Sequence, residues 1–92
     1  MKRLIETDRE GKNMTTHHLK IKPEFYSAVL TGKKKFELRE NDRFFEVGDT
    51  VILEEYEEES FTGRFTSVTI SYILKNVPEY VLAPGYCIFG WE

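Results

Sequence analysis

Only one stretch of this chain carries a helical period, and it is short. Phe25, Tyr26, Val29 and Leu30 recur at helical spacing between Pro23 and Gly32. Pro23 suits the first helical position, and Glu24 puts an anion in the first turn, where the helix dipole favours it. Gly32 suits the left-handed residue just past a helix end. A helix of about nine residues is not stable alone and must dock on something larger. The rest of the chain is dominated by strand patterns. One helix cannot cover a five-stranded sheet on both faces, so the economical solution is a curled sheet or small barrel with the helix plugging one side or end. Closure would also protect the edges of hydrophobic strands. The expected class is a mostly β, α+β domain of about five to six strands, with its helix after the first strand.

The strands follow from alternation. Leu19 and Ile21 share one face of a strand over His17 to Lys22, with Lys20 and Lys22 on the other. From Lys35 to Arg39 the pattern resumes, with Phe36 and Leu38 on one side and Lys35, Glu37 and Arg39 on the other. Asn41-Asp42-Arg43 reads as a turn, and Val47-Gly48-Asp49 leads into a strand over Thr50 to Tyr56. The acidic run Glu54 to Glu59 is expected at a solvated hairpin tip, followed by a loop carrying Thr62-Gly63. Arg64 to Leu74 reads as one long strand with Val68, Ile70, Tyr72 and Leu74 on a shared face. Asn76 to Gly85, with Pro78 and Pro84, is irregular, and Tyr86 to Trp91 closes the domain with Cys87, Phe89 and Trp91 inward.

Residues 1–13 have no apolar period and are read as a flexible leader, which leaves residues 14–92 as a single domain. The 92 residues carry a net charge of −3, so any surface for nucleic acid has to be local. Seven Phe, five Tyr and one Trp supply much of the core. A single cysteine, Cys87, cannot make an internal disulfide and fits a reducing cytoplasmic compartment. No apolar run reaches the roughly 18 residues of a membrane span, so no membrane association is expected. His17 and His18 are neighbours on a strand and face opposite sides, so they do not chelate one metal ion. No metal, cofactor or phosphate-loop motif is expected, and the chain is taken as a monomer.

Gly32-x-Lys34-x-x-Glu37-x-Arg39 carries the strongest functional signal. A charged strand face is usually solvated surface. Here, however, Glu37 and Arg39 project to one side, and an oriented guanidinium grips phosphate or carboxylate. Lys20, Lys35 and Arg64 could join Lys34 and Arg39 in a basic patch on an acidic protein. His18 precedes Leu19 on the face shared with Lys20 and is the better histidine to line the same cleft. Tyr26, Phe61 and Tyr86 are candidate rings for stacking bases.

This motif, after a strand and helix and before a set of strands, resembles the ASCH domain (activating signal cointegrator homology) of the PUA-like superfamily. HHLKIKPEFYSAVLTGKKKFELRENDR, FEVGDTVILEEY, FTGR, ISYIL and PGYCIFG together resemble small single-domain ASCH-like proteins of bacteria and phages. The resemblance covers Thr16 to Trp91. It implies a PUA-like barrel whose cleft is lined by Lys34, Glu37 and Arg39, with Gly32 as the turn that presents them. It also implies RNA, another single-stranded nucleic acid, or a nucleoside or nucleotide as the partner. Some ASCH proteins are amidohydrolases acting on acylated cytidine. They resemble this chain at the lysine but place a threonine nucleophile three residues later, where this chain has Glu37. Binding is therefore the leading expectation. A small hydrolase of modified nucleosides, with Lys34 and Glu37 as acid and base, is the first alternative, and a protein-interaction module is the second.

Overall fold

The computed structural model describes residues 14–92, so the leader read over 1–13 lies outside the described residues. The chain runs β1 (Thr16–Ile21), α1 (Pro23–Leu30), β2 (Phe36–Glu40), β3 (Thr50–Glu57), β4 (Ser60–Thr69), β5 (Tyr72–Lys75), a 3-10 turn (Pro78–Tyr80) and β6 (Tyr86–Gly90). The described residues form a mostly β domain with six strands, in two three-stranded sheets ordered β1-β3-β4 and β2-β6-β5. β1 pairs with β3 in parallel, and the remaining pairs are antiparallel.

The core lies between the sheets. Leu19, Ile21, Val51 and Leu53 come from the first, and Cys87 and Phe89 from the second, with Phe45, Ile70 and Trp91 filling the ends. Each such aliphatic or aromatic side chain contributes about 1.5–3 kcal/mol by leaving water. Phe45 and Phe89 sit 4.9 Å apart, ring centroid to ring centroid. His17 points inward and is buried, with its ring 4.6 Å from that of Phe45 and its Nε2 2.7 Å from Asp49 Oδ2. Asp49 also accepts from the Thr15 and Glu46 amides, so this buried carboxylate closes the turn before β3. His18 faces the opposite side and is exposed.

The two sheets are stitched differently on their two sides. On one, the chain crosses at Ile70–Ser71. The Ile70 amide donates to Asp49 and the Ser71 amide to Gly90, so the backbone bridges both sheets. This break replaces the single strand expected over Arg64 to Leu74. Ile70 is buried, whereas Tyr72, expected on the same face, is exposed in β5. On the other side, β1 and β2 are not paired with each other. Side chains span the seam instead: Arg39 Nη2 donates to the Lys20 carbonyl, and Arg43 Nη1 donates to the His18 carbonyl at 2.9 Å. Two guanidiniums thus satisfy edge carbonyls that a neighbouring strand would otherwise take.

Three further expectations are corrected. The hairpin turn between β3 and β4 is Glu58-Glu59, both with positive φ (51° and 66°), as a mirror-type two-residue turn requires. Thr62-Gly63 is not the loop but part of β4, in a bulge opposite Glu55, where the register slips between Glu54 and Tyr56. The acidic run is therefore not all at the tip. Glu55 is buried in mid-strand. Finally, α1 buries Tyr26 and packs Val29 on the core, but leaves Phe25 and Leu30 exposed. Gly32 follows it with φ 77°, as expected of a residue just past the helix end.

Candidate functional site

Along β2 the charged face, which in most strands is solvated, is the inward one. Cross-strand partners point to the same side of a sheet. Glu37 pairs with Phe89 and Arg39 with Cys87, both fully buried residues of β6. Phe36 and Leu38 pair with Gly90 and Ile88 and are 53% and 56% exposed. Glu37 is consequently buried, at 6%. A carboxylate tolerates that position only when it is paired and hydrogen-bonded.

It has two cationic partners. Lys34 Nζ donates to Glu37 Oε1, and Arg39 Nε donates to Glu37 Oε2 at 2.8 Å. Lys34 Nζ also donates to the Phe36 carbonyl at the open edge of β2. Its ammonium lies 4.9 Å from the centroid of the Phe36 ring and 5.8 Å from that of Phe25. Arg39 spends Nε on Glu37 and Nη2 on the Lys20 carbonyl. The helix stop at Gly32 and the short link into β2 bring Lys34 back over the strand it precedes, which closes this three-residue clamp.

The clamp forms one wall of an open cleft of about 510 Å³ at the β1–β2 seam. Lys20 at the end of β1 and Lys22 in the link to α1 line it, together with Phe25 from α1 and Phe36 and Leu38 from β2. Lys22, Lys34, Arg39 and the Glu37 carboxylate border a largely apolar wall, while the Lys20 ammonium is turned onto the Tyr56 ring, 4.3 Å from its centroid. The cleft is thus locally basic in a chain of net charge −3. Such a mixture suits a ligand with a flat apolar body and an anionic group.

The structure brings Lys34, Glu37 and Arg39 together; Lys20 borders the cleft and gives Arg39 its carbonyl but turns its ammonium onto the Tyr56 ring, and three further sequence candidates lie elsewhere. Lys35 is exposed outside the cleft, and its carbonyl accepts from Trp91 N–H. His18 points to the outer face of the first sheet, its Nδ1 3.6 Å from Glu54 Oε1. Arg64 is turned onto Glu55 by the β4 bulge: its Nε and Nη2 each donate to the carboxylate at 2.8 Å, and Thr62 Oγ1 adds a third bond at 2.7 Å. The guanidinium lies over the Tyr26 ring, whose hydroxyl donates to the Phe65 carbonyl, so Tyr26 is a packing residue. Phe61 stacks edge-on with Tyr56 on the outer sheet face. Sequence reasoning missed Phe25 and Lys22 as cleft residues. Lys22 directly precedes Pro23 and Phe25 follows it by two, so both flank the point where β1 gives way to α1.

The Arg64 guanidinium and Thr62 hydroxyl hold the Glu55 carboxyl below its ordinary range, and Glu55 in turn raises Arg64. A carboxylate whose folded value is depressed stabilises the protein above its unfolded value and loses that contribution as pH falls through the folded one. Glu55→Gln is therefore expected to lower stability at pH 7 and to flatten the acid limb of the stability curve below about pH 4.5. Urea midpoints taken between pH 3 and 7 check this. An acid limb identical to that of the parent would count against it. Cys87 is buried, and burial pushes its thiol up, so it stays neutral and unreactive. Among the described residues, no group of three His, Cys, Asp or Glu side chains is placed to hold a metal. Nor is any described helix long and apolar enough to cross a membrane.

Comparison with known proteins gives a family but no assigned activity. The chain is 42% identical over 55 residues to the "Uncharacterized 12.9 kDa protein in GpA 3'region" of Escherichia phage P2, a match covering 60% of this chain and 50% of that protein. It is 30% identical over 87 residues to "Pre-mRNA-splicing factor SLU7" of Yarrowia lipolytica, covering 95% of this chain but 19% of that protein. The chain thus spans half or less of the length of these relatives. A family match runs over residues 16–91, from the first strand through Trp91 and including the whole clamp, and on that match the chain belongs to the family described as Domain of unknown function (DUF3850).

Proposed function

We propose that this domain is an ASCH-like, PUA-type module that binds RNA or a nucleotide-derived ligand in the β1–β2 cleft. The observation that carries the reading is the clamp: a buried carboxylate holds a guanidinium and an ammonium at the edge of an apolar-walled basic cleft. With Nε and Nη2 of Arg39 committed, Nη1 is the donor that meets a phosphate or base edge. Both Glu37 oxygens are engaged, so Glu37 orients the two cations. Phe25 and Phe36 offer apolar surface to a base. The likeness to part of a protein named as a pre-mRNA-splicing factor points the same way. A reducing, cytoplasmic setting suits the Cys87 thiol, and a monomer suffices for the site, because one chain supplies the whole clamp.

The same geometry favours binding over the hydrolase reading. Among the described residues, those lining the cleft include no serine, threonine or cysteine to serve beside Lys34 as a nucleophile.

Arg39→Ala is expected to weaken binding of short single-stranded RNA about tenfold to a hundredfold, the worth of one charge-assisted hydrogen bond. Wild-type affinity should fall with salt at a slope of roughly −0.7 to −1.4 in log K against log salt, as for one or two phosphates. Fluorescence anisotropy at several salt concentrations measures both. An affinity indifferent to salt and to Arg39→Ala would remove the proposal. Turnover of acylated cytidine that is lost in Lys34→Ala would replace it with the hydrolase.

A further inference from the structure

The β1–β2 seam holds a second cavity, of about 290 Å³, bounded by β1, β2, the turn after β2 and the start of β6. Arg39 and Leu38 line both cavities, so the seam is a groove with two chambers meeting at Arg39. Their chemistry differs. The first has a cationic mouth and an apolar wall. The second has two guanidiniums (Arg39 and Arg43), two carboxylates (Glu40 and Asp42) and the Tyr86 ring.

These groups are placed by elements already described. Arg43 is anchored through Nη1 to the His18 carbonyl, which fixes it across the seam. Asp42 is 3.9 Å from Arg43 Nε, and its side chain remains 60% exposed, so it can accept from a ligand. Tyr86 pairs with Glu40 across β2 and β6, which sets ring and carboxylate side by side on one face, and Tyr86 is 42% exposed. An aromatic face beside acceptor-only carboxylates matches the two faces of a nucleobase: its π surface, and an edge bearing amino donors.

We propose that the second chamber is a base-recognition subsite, and that the seam holds a dinucleotide step of single-stranded nucleic acid. One base lies in each chamber, and the connecting phosphate sits at Arg39. The inference rests on the nucleotide-binding reading of the first chamber and extends it to a second base and to new residues, Asp42, Arg43 and Tyr86. Because Asp42 and Glu40 only accept, a base with an exocyclic amino group is preferred in the second chamber over uracil.

The test uses the full chain, titrated with 5′-CMP, CpC, 5′-UMP and UpU and followed by NMR shifts and calorimetry. CpC is expected to bind about tenfold or more tighter than CMP, the gain from one stacked base. UpU should gain less over UMP, and the CpC shifts should extend from Lys34 and Arg39 to Asp42 and Tyr86. Tyr86→Ala, with its fold checked by the amide spectrum, should erase most of the CpC advantage, and Tyr86→Phe should restore it. Asp42→Ala should level the C-over-U preference. CpC no tighter than CMP, with shifts confined to the first chamber, would overturn the second subsite and leave the cleft reading standing. A CpC advantage surviving both Tyr86→Ala and Asp42→Ala would overturn it too, by placing the second base elsewhere. No binding of any of the four would sink the nucleotide reading, and this inference with it.

Discussion

Glu37→Ala is expected to destabilise the domain by about 2–3 kcal/mol and to abolish ligand binding in the cleft. The Glu37 side chain is 9% exposed and neutralises two cations at once. Removing it leaves Lys34 and Arg39 side by side with no counterion, at the margin of the core. Breaking a fully buried ion pair from one side costs about 3–5 kcal/mol. Lys34 and Arg39 reach water more readily than Glu37, and their long stems can swing outward, so the cost falls below that range. For a chain of this size the loss corresponds to a fall of about 10–20 °C in Tm. Binding suffers separately, because Arg39 loses the acceptor that orients Nε. Glu37→Gln keeps volume and one acceptor, so it should fold better than Glu37→Ala while still weakening the ligand. Urea unfolding read by the fluorescence of Trp91, the sole tryptophan, gives the stability, and the RNA titration gives the affinity. A Glu37→Ala protein as stable as the parent would mean that the clamp is solvated and contributes nothing to the fold.

Phe89→Ala is expected to cost about 3–5 kcal/mol, enough to leave the domain partly unfolded at 37 °C. Phe89 is fully buried and touches rings on either side, Phe45 at 4.9 Å and Trp91 at 6.2 Å between centroids. Its pair partner on β2 is Glu37, so the cavity left by truncation opens directly beneath the clamp. The variant should therefore lose affinity as well as stability, even at temperatures where it remains folded. Phe89→Leu fills most of the space and should recover most of both. A thermal melt of the two variants separates the outcomes. Equal midpoints for Phe89→Ala and the parent would mean that the sheets do not pack through this residue.

The pairing of Glu37 with Phe89 also explains why the sequence misleads over β2. Alternation fixes which residues share a face, and it placed Glu37 and Arg39 together correctly. It does not say which face turns inward. Hydrophobicity points Phe36 and Leu38 to the core, yet register with β6 turns them out, buries Glu37 and half-buries Arg39. Local preference and tertiary placement disagree at this strand, and such disagreements gather at functional sites. The β3–β4 hairpin misleads for a different reason. Its turn uses Glu58-Glu59 in conformations that usually call for Asn or Gly, so no turn residue marks it. Gly63, which does look like a turn residue, serves a bulge instead, with φ 96°.

The sequence by itself determined the local elements: β1 from its alternation, α1 from its period and its Pro23 and Gly32 ends, β6 from Cys87, Phe89 and Trp91, and a mostly β fold around one helix. It also determined that Glu37 and Arg39 would share a side, because residues two apart in a strand do, whereas the side taken by Lys34, at the turn, was left to the resemblance. Only the tertiary structure decided what depends on partners distant in the chain. Pairing with β6 turned Glu37 inward, and the β4 bulge drew Arg64 away to Glu55. The crossing at Ile70–Ser71 divided one apolar run between two sheets, and the unpaired β1–β2 seam became the groove. In each case the deciding quantity is the register between strands, which sets which side chains face each other and which no single strand encodes.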